Sequence, residues 1–301
     1  MNQKEIYEKL LPYIQEDKLH LDAPMREYTS FRTGGNAALL AEPANLSELF
    51  SIIELLNKEK CPFITIGNGS NTLFRDEGYE GVVVRVGEGI DRVRIEGNVI
   101  FAEPGMLLST VAKKAMENSL TGLEFAAGIP GSLGGAVYMN AGAYGGEMKD
   151  VVISTASITK NGMMKDRKAE ALKLEYRKSI FQEVDEIIIG VKLHLKSGNQ
   201  EEIKARMKEL SAKRSEKQPL SLPSAGSFFK RPEGHFAGSL IEEAGLKGLR
   251  VGGARVSPLH AGFIVNEGDA TAADIIHLMT IVQQTVYDKS GVSLKPEVRI
   301  I

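Results

Sequence analysis

The sequence predicts an α+β chain of more than one domain. Segments with apolar residues at helical spacing are mixed with short β-branched runs, and an Asn-Gly pair joins two alternating stretches as a hairpin. The length, 301 residues, exceeds one ordinary domain of roughly 100–200 residues.

Taken in order, Ile6, Leu10, Leu11 and Ile14 recur at helical spacing. Asn45 followed by Glu48 reads as a capping box, opening a helix with Leu46, Leu49, Phe50, Ile53 and Leu56 on one face. Residues 62–67 are a short apolar run ending in a turn at 67–71, and 82–86 is another such run, so the chain to about residue 88 is an α/β unit. Strands at 93–95 and 99–102, a helix at 109–118 and a strand at 187–195 follow. The alternating stretch 151–160 before Asn161-Gly162 predicts a hairpin with a type I′ turn. Residues 200–217 alternate charges of both signs, the pattern of a solvated helix rather than a basic binding patch. Pro219 and Pro223 mark a boundary. Beyond it the sequence predicts a helix near 238–244, a strand at 262–265, a long helix capped by Thr271 with Asp274, and a strand at 292–301 interrupted by Pro296. The expected domains are 1–88, 89–203 and 204–295, and the strand at 296–301 can pack back on the first.

Composition excludes several classes of function. Lys and Arg number 37 against 39 Asp and Glu, a formal charge of −2, so there is no global basic field to hold nucleic acid. A single cysteine, Cys61, makes neither an internal disulfide nor a cysteine-rich metal site. The N-terminal MNQKEIYEKLLPYI has no apolar signal core, so a cytoplasmic location is expected. The five histidines are scattered without metal-ligand spacing, and no metal is expected. Residues 125–146 are 22 residues without a charge, long enough to span a membrane, but they hold seven glycines, Pro130 and Asn140. That composition disfavours one helix, and no membrane association is expected. With no exposed heptad or long apolar face, a monomer is expected.

The 31 glycines are about a tenth of the chain against a typical 7%. There is no G-x-G-x-x-G, no Walker motif and no G-x-S-x-G elbow. Two backbone-rich elements remain, at 67–71 and 128–135. Glycines let the main chain approach a ligand closely, and consecutive exposed N–H groups bind phosphate oxygens without side-chain charge. Each alone is also compatible with tight turns. Two in one chain favour a nucleotide-like ligand.

The stretch AAGIPGSLGGAVYMNAGAYGG at 126–146, with Ile-Gly-Asn-Gly-Ser-Asn upstream, resembles the FAD-binding module of the vanillyl-alcohol-oxidase/para-cresol-methylhydroxylase type. More narrowly, the chain resembles the UDP-N-acetylenolpyruvoylglucosamine reductase (MurB) family from about Thr29 to its end. Three further stretches carry that match: Tyr176-Arg-Lys-Ser-Ile-Phe181, Pro223-Ser-Ala-Gly-Ser-Phe-Phe-Lys230 and Lys295-Pro-Glu-Val-Arg299. The resemblance implies two FAD-binding α/β subdomains followed by an α+β substrate-binding domain. It also implies non-covalent FAD, NADPH as co-substrate and a nucleotide-sugar substrate in peptidoglycan precursor synthesis. Hydride would pass from flavin N5 to C3 of the enolpyruvyl group and a proton would arrive at C2. Ser227 would donate that proton, while Arg177, assisted by Glu297, would polarise the substrate carboxylate. Tyr176 lies near substrate on this reading, and Lys230 meets the diphosphate.

The cofactor contacts implied are Gly67, Asn68, Gly69, Ser70 and Asn71 in the first element. In the second they are Ala127, Gly128, Ile129, Pro130, Gly131, Ser132, Gly134, Gly135, Ala136, Asn140, Gly142, Tyr144 and Gly145. Many relatives have asparagine after the lysine, where this chain has Arg231, so that contact does not transfer. The stretch after Arg177 leaves no room for the extra substrate-covering loop of the longer type, which makes this the shorter, type II form. Two alternatives stay open on the sequence. One is a sugar or alcohol oxidase on the same scaffold, although residues 62–146 hold no histidine or cysteine to tether flavin. The other is a non-catalytic flavin or nucleotide-sugar binder.

Overall fold

The computed structural model describes residues 2–301. Two compact units divide the chain. The first runs to Leu21 and resumes over Ala38–Asn68 and Glu80–Lys213; the second comprises Asp22–Ala37, Gly69–Tyr79 and Arg214–Ile301.

In the first unit, helix Gln3–Leu10 passes into a 3₁₀ turn, Leu11–Tyr13, where Pro12 has no N–H to continue the ladder. Helix Leu46–Lys58 is capped by Asn45, whose side chain accepts the Glu48 N–H at 3.0 Å. The Glu48 carboxylate takes the N–H of Ala44, at 2.8 Å, so the expected reciprocal box is displaced by one residue. Leu49, Ile52, Ile53 and Leu56 bury one stripe of this helix in a core with Leu39, Val82 and Val84. At roughly 1.5–3 kcal/mol per buried side chain, that stripe outweighs the marginal stability of an isolated 13-residue helix.

The adjoining sheet has the order Leu19–Pro24, Asn36–Ala41, Tyr79–Arg85, Phe63–Ile66, the last pair parallel. The sequence reading assigns no element to 15–44. One of the two strands found there ends in proline, and the other is built of alanine and leucine, so β propensity is weak in both.

Five antiparallel strands form the second sheet of this unit, in the order Met164–Lys168, Val152–Thr159, Glu186–His194, Val99–Ala102, Val93–Glu96. Helices Leu108–Glu117 and Leu133–Tyr138 contribute Val111, Ala112, Leu133 and Val137 to the core that contains its Ile100, Val191 and Leu193. The predicted hairpin is present with a different turn. Thr159 and Met163 flank three residues, and only Gly162 has a positive φ, +77°. A type I′ turn needs positive φ at both central residues, so this loop has instead the pattern of a type I turn closed by a left-handed glycine.

Helix Gln200–Lys217 carries one internal charge cluster, Glu209 binding both Arg206 and Lys213 at 2.6 Å, as expected of a solvated helix, whereas Arg214 is buried.

In the second unit the long helix is Ala272–Ser290. The Asp274 N–H donates to Thr271 Oγ1 and the Thr271 N–H to Asp274 Oδ2, both at 3.0 Å, completing the predicted capping box. Its Ile275, Leu278, Val282 and Val286 share a core with Phe31, Phe228, Leu240 and Ile241. A three-stranded antiparallel sheet, Arg250–Val251, Ala254–Val256 and Ile264–Asn266, belongs to the same unit. The C-terminal segment is less regular than expected. Pro296, with no N–H, makes a single bridge to Phe229, and only Arg299–Ile300 forms a ladder, parallel to Thr72–Leu73.

Candidate active site

In the first unit, the charge-free segment 125–146 is a 3₁₀ turn, a six-residue helix and a hairpin. Among the described residues no helix is long and apolar enough to cross a membrane. Gly131 has φ +123°, a conformation that favours glycine. Its carbonyl accepts the Leu108 N–H, while the Leu133 N–H donates to Met106 and the Gly134 N–H to Pro104, at 2.8–3.0 Å. A Cβ at Gly134 would come 2.8 Å from the Pro104 Cβ, and one at Gly67 would overlap Ser132 Oγ. The two glycine-rich elements therefore meet at Gly67 and Ser132, in a contact that only a residue without a side chain permits. Among the described residues, no protein acceptor engages the N–H groups of Gly131 and Ser132. This backbone cradle, closed to side chains at Gly67 and Gly134 and offering adjacent N–H donors, fits a pyrophosphate.

The hairpin Gly142–Ala143 and Gly146–Glu147 turns at Tyr144 and Gly145, with φ +52° and +90°. Both central residues are left-handed, so the type I′ pattern predicted at Asn161-Gly162 occurs here. Asn140, also left-handed at +42°, is fully buried. Its side chain donates to Glu147 Oε2 at 3.0 Å and to the Glu175 carbonyl at 2.8 Å, and accepts the Lys149 N–H at 2.9 Å.

Tyr176 and Arg177 form the tip of a two-residue turn closed by reciprocal 3.1 Å hydrogen bonds between the main chains of Glu175 and Lys178. Arg177, half-buried with φ +53°, donates from Nη2 to the Gly142 carbonyl at 3.1 Å, and its guanidinium carbon lies 5.1 Å from the Tyr176 ring. Sequence reasoning missed the groups that hold this turn. Ser179 Oγ donates to the Tyr138 carbonyl at 2.7 Å, and Gln182 Nε2 to the carbonyls of Tyr138 and Arg177. Their signal was their place within and just beyond the 176–181 motif. Between this turn and strand Glu186–His194 stands only the 3₁₀ turn Ile180–Gln182, as the shorter form requires.

In the second unit, Gly69 has φ +62° and a Cβ there would overlap the Tyr28 carbonyl. Asn71 donates its side-chain amide to the Glu297 carbonyl at 3.1 Å. Gly226, at φ +76°, turns the chain into Ser227, which is exposed and bridges Phe263. Phe228 is fully buried, edge-on to Phe31 with ring centroids 6.2 Å apart, and so anchors the extended run that presents Ser227. The Glu297 N–H donates to the Phe228 carbonyl and the Lys230 N–H to that of Lys295, each at 2.8 Å. Ser227, Lys230 and Glu297 thus lie on neighbouring backbone runs. The Arg231 guanidinium sits 4.5 Å from the centroid of the Phe236 ring.

A groove of about 1060 Å³ over the five-stranded sheet, with Phe101 between Arg94 and Lys192, includes none of the candidate residues. Size alone does not mark the site.

Comparison with known proteins places both glycine-rich and Ser227-bearing regions. Residues 37–166 match an FAD binding domain, and residues 218–301 match the UDP-N-acetylenolpyruvoylglucosamine reductase C-terminal domain. A UDP-N-acetylenolpyruvoylglucosamine reductase of Alkaliphilus oremlandii is 48% identical over 301 residues, covering 100% of this chain and 99% of that one. The chain belongs to the UDP-N-acetylenolpyruvoylglucosamine reductase family. A relative of that name from Caldanaerobacter subterraneus is also 48% identical, over 98% of each chain. The crystal structure of the Thermus caldophilus family member superposes with a TM-score of 0.81 at 36% identity, over 94% of this chain and 97% of that one. Family membership makes this protein an oxidoreductase of peptidoglycan precursor synthesis with FAD as its cofactor, on the expected α+β, vanillyl-alcohol-oxidase-type fold.

Proposed function

We propose that the chain reduces the enolpyruvyl ether of UDP-N-acetylglucosamine to UDP-N-acetylmuramate, with NADPH as the source of electrons. Bound FAD would accept hydride from NADPH and supply it to C3 of the enolpyruvyl group. Residues 67–71, 127–132 and 134–136, with Asn140, Gly142, Tyr144 and Gly145, hold the cofactor through the backbone cradle. Arg177 pairs with the substrate carboxylate, where a permanently charged, bidentate fork stabilises the negative charge that develops on hydride addition. Glu297 assists that polarisation. Ser227 delivers its hydroxyl proton to C2; as a weak acid it can do so only to a strongly basic carbon held in contact. Lys230 binds the diphosphate as a point cation, and Tyr176 contacts the substrate.

The observation that carries this reading is the backbone ladder that presents Ser227 one residue away from a hydrogen bond to Glu297. Its exposed hydroxyl is available to a ligand, and its neighbour Phe228 is locked in the core. We further take the protein to be a cytoplasmic monomer, with 1–88 and 89–203 the two halves of the FAD module and 204–295 the substrate domain. Cys61 is buried and suits a reducing compartment.

The experiment is spectroscopic. NADPH should bleach the visible flavin band of the purified protein without oxygen, and adding UDP-N-acetylglucosamine enolpyruvate should restore it. A spectrum that stays reduced after the substrate is added would overturn the reading.

A further inference from the structure

The backbone of Arg177 is left-handed, a conformation that a non-glycine residue keeps only where its surroundings over-determine it. Its guanidinium can be aimed only if the turn that carries it is held. That turn spans 175–178, and two carboxamides grip it. On the entering side, Asn140 Nδ2 donates to the Glu175 carbonyl at 2.8 Å. On the leaving side, Gln182 Nε2 donates to the Arg177 carbonyl at 3.2 Å and to the Tyr138 carbonyl at 2.9 Å. Both grips end on the 138–140 stretch, and the Gly142 carbonyl that receives Arg177 Nη2 lies two residues further on.

We propose that Asn140 and Gln182 are positioning residues for Arg177, two side-chain amides that pin the 175–178 turn to the glycine segment and so fix where the guanidinium points. This rests on the reading of Arg177 as the substrate-carboxylate residue. For Asn140 it replaces a cofactor contact through the side chain. Both amide hydrogens are committed, to Glu147 and Glu175, and its oxygen takes the Lys149 N–H, all in a fully buried position. An asparagine suits this place twice, since it tolerates the left-handed backbone and offers donors and an acceptor together. Glu147, which receives one of those hydrogens, stands directly across the hairpin from Gly142.

The test combines single and double variants. Gln182→Ala changes an exposed side chain and should fold normally. Asn140→Asp keeps the acceptor and the backbone tolerance but removes the donors. Each should slow reoxidation of the reduced flavin by substrate roughly 5- to 10-fold, the scale of one or two lost hydrogen bonds. Neither should slow it further in an Arg177→Ala background, because residues that act through one group are not additive. Independently of turnover, hydrogen exchange at the Lys178 amide, which donates to the Glu175 carbonyl at 3.1 Å, should accelerate in both single variants. If Arg177→Ala reoxidises like the wild type, the reading of Arg177 is wrong and this proposal falls with it. If Arg177→Ala is slow while the two amide variants are silent, or equally harmful in both backgrounds, the positioning proposal alone is overturned. Unchanged exchange at Lys178 would overturn it as well.

Discussion

Asn71 donates its side-chain amide to the main-chain carbonyl of Glu297 at 3.1 Å, joining the second half of the first glycine-rich loop to the C-terminal segment. The Arg299 N–H returns to the Asn71 carbonyl at 3.0 Å, so Asn71 holds the C-terminal segment by its side chain at Glu297 and by its main chain at Arg299. Asn71→Ala should lower thermal stability by about 1 kcal/mol, the net worth of one such bond, or a few degrees in Tm. A melt no different from wild type would mean that the main-chain bonds hold the segment without the Asn71 side chain.

Ser227→Ala removes the proposed proton donor without disturbing Phe228, which anchors the segment. Reoxidation by substrate should slow by a factor of about 10²–10⁴ while bleaching by NADPH proceeds as before. Stopped-flow spectra of the two half-reactions check this, and equal loss in both would assign Ser227 a structural role.

Gly67→Ala would drive a methyl group into Ser132 Oγ, the atom that caps helix Leu133–Tyr138 by accepting the Gly135 N–H at 3.4 Å. Displacing that cap should cost about 1 kcal/mol and weaken FAD binding, measured by titrating apoprotein with FAD. Gly97→Ala is the control. It meets nothing within 4 Å and has φ +56°, so it should show only the strain of a left-handed alanine and bind FAD normally.

The Glu186 carboxylate, 2% exposed, receives Arg167 at 2.6 and 3.0 Å, Lys165 at 2.9 Å and Ser157 Oγ at 2.8 Å. The Arg167 hydrogen bonds foremost hold its pKa down at about 2, from an ordinary 4.5. A pKa lower in the folded than in the unfolded chain stabilises the fold fully above the unfolded value. That contribution, at most about 3 kcal/mol, is lost as the pH falls from near 5 to 2. Denaturant melts across that range should show the loss in the wild type and a flatter acid limb in Glu186→Gln.

Much of the fold was legible because local chemistry specifies it. Thr271 and Asp274 cap each other across three residues, and the apolar stripe of helix Leu46–Lys58 repeats at helical period, whatever else the chain does. Strands Leu19–Pro24 and Asn36–Ala41 were not legible, because they pair with each other and, through Asn36–Ala41, with the distant Tyr79–Arg85, while their own residues are weak β formers. Turn types failed for a related reason. Asn161-Gly162 prefers a type I′ turn, but the register of its strands leaves three residues in the loop. Tyr144-Gly145 adopts the left-handed pair because Gly142 and Glu147 are held face to face.

The sequence by itself determined the helical and strand periodicities, the two glycine-rich elements and the resemblance to the MurB family, since motif order and the residues flanking Arg177, Ser227 and Glu297 are properties of the chain read in one dimension. Only the tertiary structure decided how those residues are held. Asn140 pairs with Glu175, Gln182 with Tyr138, Asn71 with Glu297 and Gly67 with Ser132, contacts spanning 35 to 226 positions for the side-chain hydrogen bonds of Asn140, Gln182 and Asn71. Hydrogen bonds and close approach act through space, so what a side chain such as Asn140 binds, here Glu147, Glu175 and Lys149, is fixed only once the chain is folded.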